Sequence, residues 1–380
     1  MKIVPKNTER KNKKEDKKER IDYKLLFIVL TILSLGTAMV FSASYPYGVA
    51  HYGDGSYYIK RQAIFLAIGI FVMLFMCKLH YRLYRKIAPA FYTFCIIMLV
   101  LVLIGGFSEG VAKRWLGVPG TPLSFQPSEL MKLGIILMLS WWADRNKKEG
   151  MVGEIIIPGA FLFLACGLVL LEKHLSGTII LALIGFSIIF ITGASIKKML
   201  LCYGATGLAG GVAFLLTNDY AMKRIESFMN PNADILSDKW QTTQGLYAIG
   251  SGGLWGRGIG NSIQKYSYVS EPQNDFIFTI WCEETGYIGA IILIALFLLL
   301  IYKGYKIAFK TDERFPAMVA FGITSQVGIQ AFLNMAVVTD LVPNTGISLP
   351  FFSYGGSSLV ILLAEMGILL SISKNARQNV

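Results

Sequence analysis

The sequence predicts an all-α, polytopic membrane protein with about ten transmembrane helices, both termini inside, and one large extracellular loop between the seventh and eighth helices. Three observations predict it. First, 54% of the 380 residues are hydrophobic and 16% are charged, against about 25% charged in a soluble domain. Second, ten apolar stretches lie near 24–44, 60–78, 89–106, 125–142, 154–171, 177–193, 198–216, 275–302, 315–339 and 352–373. Each is close to the roughly 20 residues a spanning helix needs. They are continuous rather than alternating, which excludes the strands of a membrane β-barrel. Third, with the N-terminus placed inside, 25 of the 36 Lys and Arg residues fall in cytoplasmic segments and 10 in external ones, Lys132 lying within a helix. That asymmetry orients membrane proteins.

Taken in order, residues 1–23 form a basic cytoplasmic tail bearing Lys11, Lys13, Lys14, Lys17, Lys18 and Arg20. It is expected to be disordered and to lie near anionic lipid. The first stretch is a retained anchor, because it is long and lacks a convincing cleavage site. Residues 24–374 read as one membrane domain, with 217–274 as the large external loop and 375–380 as a short cytoplasmic tail. The net charge of +12 is then a topology signal, and nucleic acid is not an expected partner. Cys77, Cys95, Cys166, Cys202 and Cys282 sit in or beside apolar stretches and read as small hydrophobes. His51, His80 and His174 are scattered, so no protein-built zinc site is indicated. No nucleotide-binding loop appears, and ATP-driven transport is not indicated.

The candidate functional residues gather at the external face. Glu129 and Lys132 lie in FQPSELMKLG (125–134), where i, i+3 spacing on a helix lets them pair. They serve either as a structural ion pair or as the lining of a substrate cavity. Asp275 stands in SEPQNDFIFTIWCEETG (270–286) at the mouth of the eighth stretch, either as a helix cap or as a reactive acid. Glu283 and Glu284 follow more than two turns deeper, and at least one is expected to find an interior partner, with Lys132 as a candidate. Lys113 and Arg114 in GVAKRWLGV (110–118) are interfacial anchors or an anion contact. The loop carries Trp240, Gln244 and the run AIGSGGLWGRGIGNSIQK (248–265), with Ser251, Gly252, Gly253 and Lys265. Glycines there permit close backbone approach to something bound. In ISLPFFSYGGSSL (347–359), Ser353, Tyr354, Gly355, Gly356 and Ser357 enter the last stretch from outside. Such a broken segment is either a cap and packing element or a cavity wall.

At these residues the chain resembles the SEDS family (shape, elongation, division, sporulation), and within it the FtsW and SpoVE branch, with RodA as a relative. The likeness rests on four blocks in order: KRWLGV…FQPSELMKLG, WQTTQGLYAIGSGGLWGRGIGNSIQKY, NDFIFTIWCEETGYIG and PNTGISLPFFSYGGSSL. The resemblance implies a peptidoglycan glycosyltransferase of the bacterial inner membrane, active on the extracytoplasmic side. It would polymerise lipid II and release undecaprenyl pyrophosphate in cell division or related wall synthesis. The family's essential aspartate falls on Asp275, and its glutamate and lysine fall on Glu129 and Lys132. A class B penicillin-binding protein and other divisome or wall-synthesis proteins are implied partners. One departure is LEKHLSGT (171–178), where His174 stands in place of a common aspartate.

The expected chemistry is attack of an acceptor 4-hydroxyl on the donor's anomeric carbon, with Asp275 as general base. Arg114, Lys113, Lys132 or a divalent cation, magnesium or manganese, would compensate the leaving pyrophosphate. Glu129 would hold Lys132, and the prenyl tail would lie between helices. A lipid II flippase or a scaffold for the transpeptidase are the alternatives. The external position of the polar blocks counts against a flippase, because transporters bind near the bilayer midplane.

Overall fold

The computed structural model describes residues 21–108, 113–117, 124–146, 150–217, 219–229, 239–266, 268–374 and 376. The basic tail up to residue 20, and residues 375 and 377–380, lie outside them. In chain order come α1 (Tyr23–Tyr52), α2 (Tyr57–Lys78), α3 (Tyr81–Gly105), β1 (Phe107–Ser108), β2 (Lys113–Trp115) and α4 (Pro127–Arg145). A π-helical turn, Val152–Ile156, leads into α5 (Ile157–Leu171), followed by α6 (Leu175–Ile191) and α7 (Ile196–Met199). A second π-helical turn, Leu200–Gly204, joins α7 to α8 (Ala205–Thr217). Then come α9 (Asp219–Met229), α10 (Trp240–Ser251), α11 (Ile277–Lys310), α12 (Arg314–Val338) and α13 (Gly356–Ser373).

Seven of the described helical segments are long and apolar enough to cross a membrane: α1, α2, α3, Val152–Leu171, α11, α12 and α13. With α4, α6 and the α7–α8 segment they cover the ten apolar stretches of the sequence. The boundaries shift where packing rather than apolarity decides. The first apolar run ends near 44, yet α1 continues to Tyr52 and is closed by Gly53 in a left-handed conformation. The external segment 217–274 is also not one long loop, since it contains α9 and α10.

Helix α4 is the centre of the bundle. Pro127 occupies its first turn, where a missing N–H costs nothing. Every residue from Met131 to Ser140 is buried, because α3, α5, α6, α12 and α13 all pack on it. A helix apolar on all sides belongs in such a core. Around it, α13 packs mainly on α2, and α11 lies between α12 and α1.

Helix α11 is broken near its external end. Gly286 adopts φ 70° and ψ −168°, which only glycine enters freely. A break exposes backbone groups that a membrane cannot satisfy. Here the segment after α10 supplies the partners. The amides of Arg257 and Gly258 donate to the carbonyls of Glu283 and Glu284 at 3.0 and 2.9 Å. The carbonyls of Gly253 and Leu254 accept from the amides of Tyr287 and Ile288 at 2.9 and 3.3 Å. A side chain at Gly286 would place its Cβ 2.3 Å from the Gly256 nitrogen. Gly286→Ala should therefore cost about 2–5 kcal/mol from strain and overpacking, read as a lower melting temperature in detergent. Gly207→Ala, in α8 with open space around it, should show no loss.

Candidate active site

The five connections at one end of the bundle converge on a single cavity of about 690 Å³. The α1–α2 turn contributes Tyr52 and Tyr57, the α3–α4 segment Arg114, Gln126, Glu129 and Lys132, and the α5–α6 junction His174 and Ser176. The segment before α11 contributes Glu271, Asn274 and Asp275, and the α12–α13 segment Gly346, Tyr354, Gly355, Gly356 and Ser357.

Asp275 does not cap α11. That helix begins at Ile277, with Phe276 at the capping position and no side-chain cap bond. Its backbone is pinned instead. Asn334 of α12 donates through Nδ2 to the Asp275 carbonyl at 2.8 Å and to the Ile347 carbonyl at 2.6 Å. Gly346 adopts φ +68°, and a Cβ there would lie 3.1 Å from Asp275 Oδ2. The carboxylate thus faces the cavity beside bare backbone. Among the described residues it accepts no hydrogen bond and forms no ion pair. Enclosure by protein pushes its pKa up to about 6, Glu271 adds to the rise, and Arg224 and Arg114 oppose it. Arg224, on α9, donates to the Asn344 carbonyl at 2.9 Å. The sequence offered no sign of it, because it lies among loop charges.

Deeper in the cavity, Lys132 pairs with Glu129 at 2.8 Å and donates to Gln330 Oε1 at 3.2 Å. The i, i+3 expectation holds, and the pair lines the cavity, so its structural and site roles coincide. Gln330 reaches on to the Ser348 carbonyl at 3.1 Å, which ties α4 and α12 to the segment before α13. Behind them the wholly buried Glu365 accepts twice from Gln326 Nε2, at 3.0 and 2.8 Å.

On the opposite wall Arg114 donates to the Lys173 carbonyl at 2.7 Å. Its charge reaches Glu172, a buried acid whose two carboxyl oxygens have no hydrogen bond among the described residues. Burial raises Glu172 to about 8, against the pull of Arg114. His174 is buried, with Nδ1 3.3 Å from both Gln126 Nε2 and Ser128 Oγ. Burial, then Arg114 and Lys132, hold its pKa down to about 3. His174 is therefore a neutral imidazole at neutral pH and brings no charge where an acid was expected.

Several sequence candidates lie away from the cavity. Glu283 and Glu284 are buried, but neither pairs with Lys132. Glu284 pairs with Lys265 at 3.0 Å, and Ser42 donates to it at 2.6 Å. Glu283 accepts from the backbone amides of Ile263 and Gln264 at 3.0 and 3.3 Å and from Ser262 Oγ. Lys265 also donates to the Gly260 carbonyl at 2.6 Å. Gly252 does approach a backbone closely, but it is that of α11, while Gly253 adopts φ 56° and its carbonyl accepts from the Tyr287 amide at 2.9 Å. A Cβ on Gly252 would lie 2.1 Å from the Cys282 carbonyl. Gln244 is buried on α10, where Trp240 and Ser251 mark the two ends of the helix. Ser353 accepts from the Leu349 amide at 2.8 Å and closes the turn before α13. Lys113 is exposed on β2 and does not line the cavity. These residues support the site's frame, while Asp275, Glu129, Lys132, Arg114, Tyr354, Gly355, Gly356 and Ser357 face the cavity itself.

A family model described as a cell cycle protein, and covering FtsW, RodA and SpoVE, matches residues 23–378. The chain belongs to the SEDS family. Stage V sporulation protein E of Bacillus subtilis is 39% identical over 370 residues, covering 95% of this chain and 99% of that protein. A Geobacter sulfurreducens protein named "Probable peptidoglycan glycosyltransferase FtsW" is 36% identical over 360 residues, covering 93% of this chain and 95% of the relative. The crystal structure of the rod shape determining protein RodA of Thermus thermophilus superposes with a TM-score of 0.70 at 26% identity, covering 94% and 98% of the two chains. A chain of a peptidoglycan synthase complex that coordinates polymerization and crosslinking superposes with a TM-score of 0.77 at 25% identity, covering 94% and 99%.

In this SEDS protein the clamp around Lys265 is the frame behind the site, and it carries a prediction. Lys265→Met leaves Glu284 buried without its cation, which costs about 3–5 kcal/mol and should lower the melting temperature accordingly. Lys60→Met, which removes the exposed pair with Asp54, should leave the melting temperature unchanged.

Proposed function

We propose that this chain is a peptidoglycan glycosyltransferase that polymerises lipid II into glycan strands and releases undecaprenyl pyrophosphate. The observation that carries it is the uncommitted carboxylate of Asp275, set in a cavity whose other walls bear Lys132 and Arg114. Family membership and the names of the relatives support the same reading.

Each residue has a task in that reaction. The acceptor 4-hydroxyl is a weak nucleophile, and Asp275 takes its proton as the oxygen attacks the anomeric carbon. General-base help of this kind contributes about 10²–10⁴-fold. The carboxylate suits the role because it spends no hydrogen bond on any described residue and its pKa, about 6, leaves it ionised at neutral pH. The bond to pyrophosphate breaks as the new glycosidic bond forms, and the leaving group departs as an anion. Lys132, fixed by Glu129 and Gln330, and Arg114, fixed by the Lys173 carbonyl, supply positive charge on the cavity wall, where preorganised charge is most effective.

Among the described residues no three His, Cys, Asp or Glu side chains gather closely enough to hold a metal ion. Lys132 and Arg114 line the cavity and supply charge compensation from the protein itself. A magnesium or manganese ion, where one takes part, would supply further positive charge to the leaving pyrophosphate. The cavity lies on the extracytoplasmic side, as the Lys and Arg asymmetry indicates. The partner is a class B penicillin-binding protein, a proposal supported by the likeness to a chain of a peptidoglycan synthase complex.

Purified wild type should make glycan polymer from lipid II in the presence of a divalent cation and a transpeptidase-dead partner. A folded Asp275→Asn should make at least about a hundredfold less. Equal polymer from both removes Asp275 from the chemistry, and no polymer under any partner or metal condition favours a flippase or a scaffold. The pH profile adds a second check. The base acts only when deprotonated, so kcat/KM should hold above pH 6 and fall about tenfold per unit below it. A profile flat down to pH 4.5 would contradict the raised carboxyl.

A further inference from the structure

One wall of the cavity is built almost wholly of tyrosine. Tyr58, in the first turn of α2, meets four other rings edge to face. Their centroids lie 6.0 Å away for Tyr47, 6.0 Å for Tyr52, 5.3 Å for Tyr57 and 5.0 Å for Tyr354. Tyr52 stacks on Tyr57 at 3.8 Å, and the Arg61 guanidinium sits 4.4 Å from the centre of the Tyr57 ring. All of these side chains line the same cavity as Asp275. The wall is also tied to the proposed base: the Tyr354 amide donates to the Gln273 carbonyl at 2.8 Å, two residues before Asp275.

We infer that the tyrosine wall centred on Tyr58 is a saccharide subsite that holds an N-acetylated hexose ring of the substrate beside Asp275. The inference rests on the glycosyltransferase reading and adds to it where the sugar sits. A pyranose ring presents polarised C–H bonds on one face and hydroxyls around its rim. An aromatic face, negative at its centre, attracts those C–H bonds, while phenol and guanidinium groups reach the hydroxyls. Interlocked rings provide that surface with little conformational entropy left to lose. Other ligands fit less well. A prenyl chain would lay apolar surface against the polar groups of Arg61, Glu271 and Asn274, which line the same cavity, and a pyrophosphate would meet the negative ring faces. A cation would be repelled by Arg61, which already takes the place over Tyr57. Anchoring at the membrane surface explains tyrosines that point to lipid, not five that share a cavity with the reacting group.

The test uses the full-length protein in detergent micelles and the N-acetylglucosaminyl-N-acetylmuramic acid disaccharide, with the free stem pentapeptide as a second probe. Saturation-transfer NMR should show transfer to the sugar ring protons in wild type. That signal should fall at least fivefold in Tyr58→Ala and be kept in Tyr266→Ala, an exposed ring outside the cavity. In polymerisation, Tyr58→Ala should raise KM for lipid II about tenfold with kcat within threefold, and Tyr58→Phe should recover most of the loss. No sugar signal in wild type, an equal signal in wild type and Tyr58→Ala, or transfer to the peptide alone would overturn the proposal. Polymer made by a wild type that gives no sugar signal dependent on Tyr58 sinks this inference and leaves the enzyme standing. A sugar signal that Tyr58→Ala abolishes, with no polymer under any condition, keeps the saccharide site and sinks the glycosyltransferase.

Discussion

The break in α11 at Gly286 is the constraint on which the site depends. A membrane helix cannot open its backbone unless other groups take up the exposed amides and carbonyls. The segment 252–265 does this, and it is itself held by the buried side chains of Glu283, Glu284 and Lys265. The first turns of α11 are thereby locked against α10. Asp275, two residues ahead of α11, inherits that fixed position, and Asn334 completes it from α12. The glycines of this region serve the frame by admitting backbone to backbone.

Charge in the bundle divides into two kinds. Committed charges include Glu284 with Lys265, Glu129 with Lys132, and Glu283 among loop amides. Each has partners that offset the cost of leaving water. The carboxylate of Asp275 is different, because the surrounding protein destabilises it as an anion yet, among the described residues, it makes no hydrogen bond or ion pair. A group held in that condition beside Lys132 and Arg114 is suited to move a proton, and the same condition makes it a poor cap. The tyrosine wall adds an aromatic surface to a cavity whose other walls carry ionic, amide, hydroxyl and some apolar side chains, which would suit the proposed substrate of sugars and phosphates.

Much of this was legible in the sequence. The ten spans follow from apolar runs, because a bilayer demands them wherever the chain crosses. The Glu129–Lys132 pair follows from helix geometry alone. The partner of Glu284 was not legible, since Lys265 comes near only once a loop folds back on the break in α11. Asp275 could be read from the residues alone as a cap or as a reactive acid, because it stands one residue from the capping position, and a shift of that size decides between them. Gln326, Gln330, Asn334 and Glu365 were hidden inside stretches that read as apolar. The tyrosines near residues 47–58 carry no spacing signal that separates a cavity wall from an interfacial belt. Arg224 and Glu172 acquire meaning only through neighbours distant in sequence.

Among the described residues Asp275 carries a carboxylate free of hydrogen bonds and ion pairs, and it faces a polar cavity. Infrared difference titration of substrate-free wild type against Asp275→Asn reads that carboxyl directly, through its protonated carbonyl band. The expected band titrates near pH 6, at a frequency typical of a carbonyl without strong hydrogen bonds. A band that titrates at or below pH 4, the range of an exposed or strongly hydrogen-bonded aspartate, would contradict it.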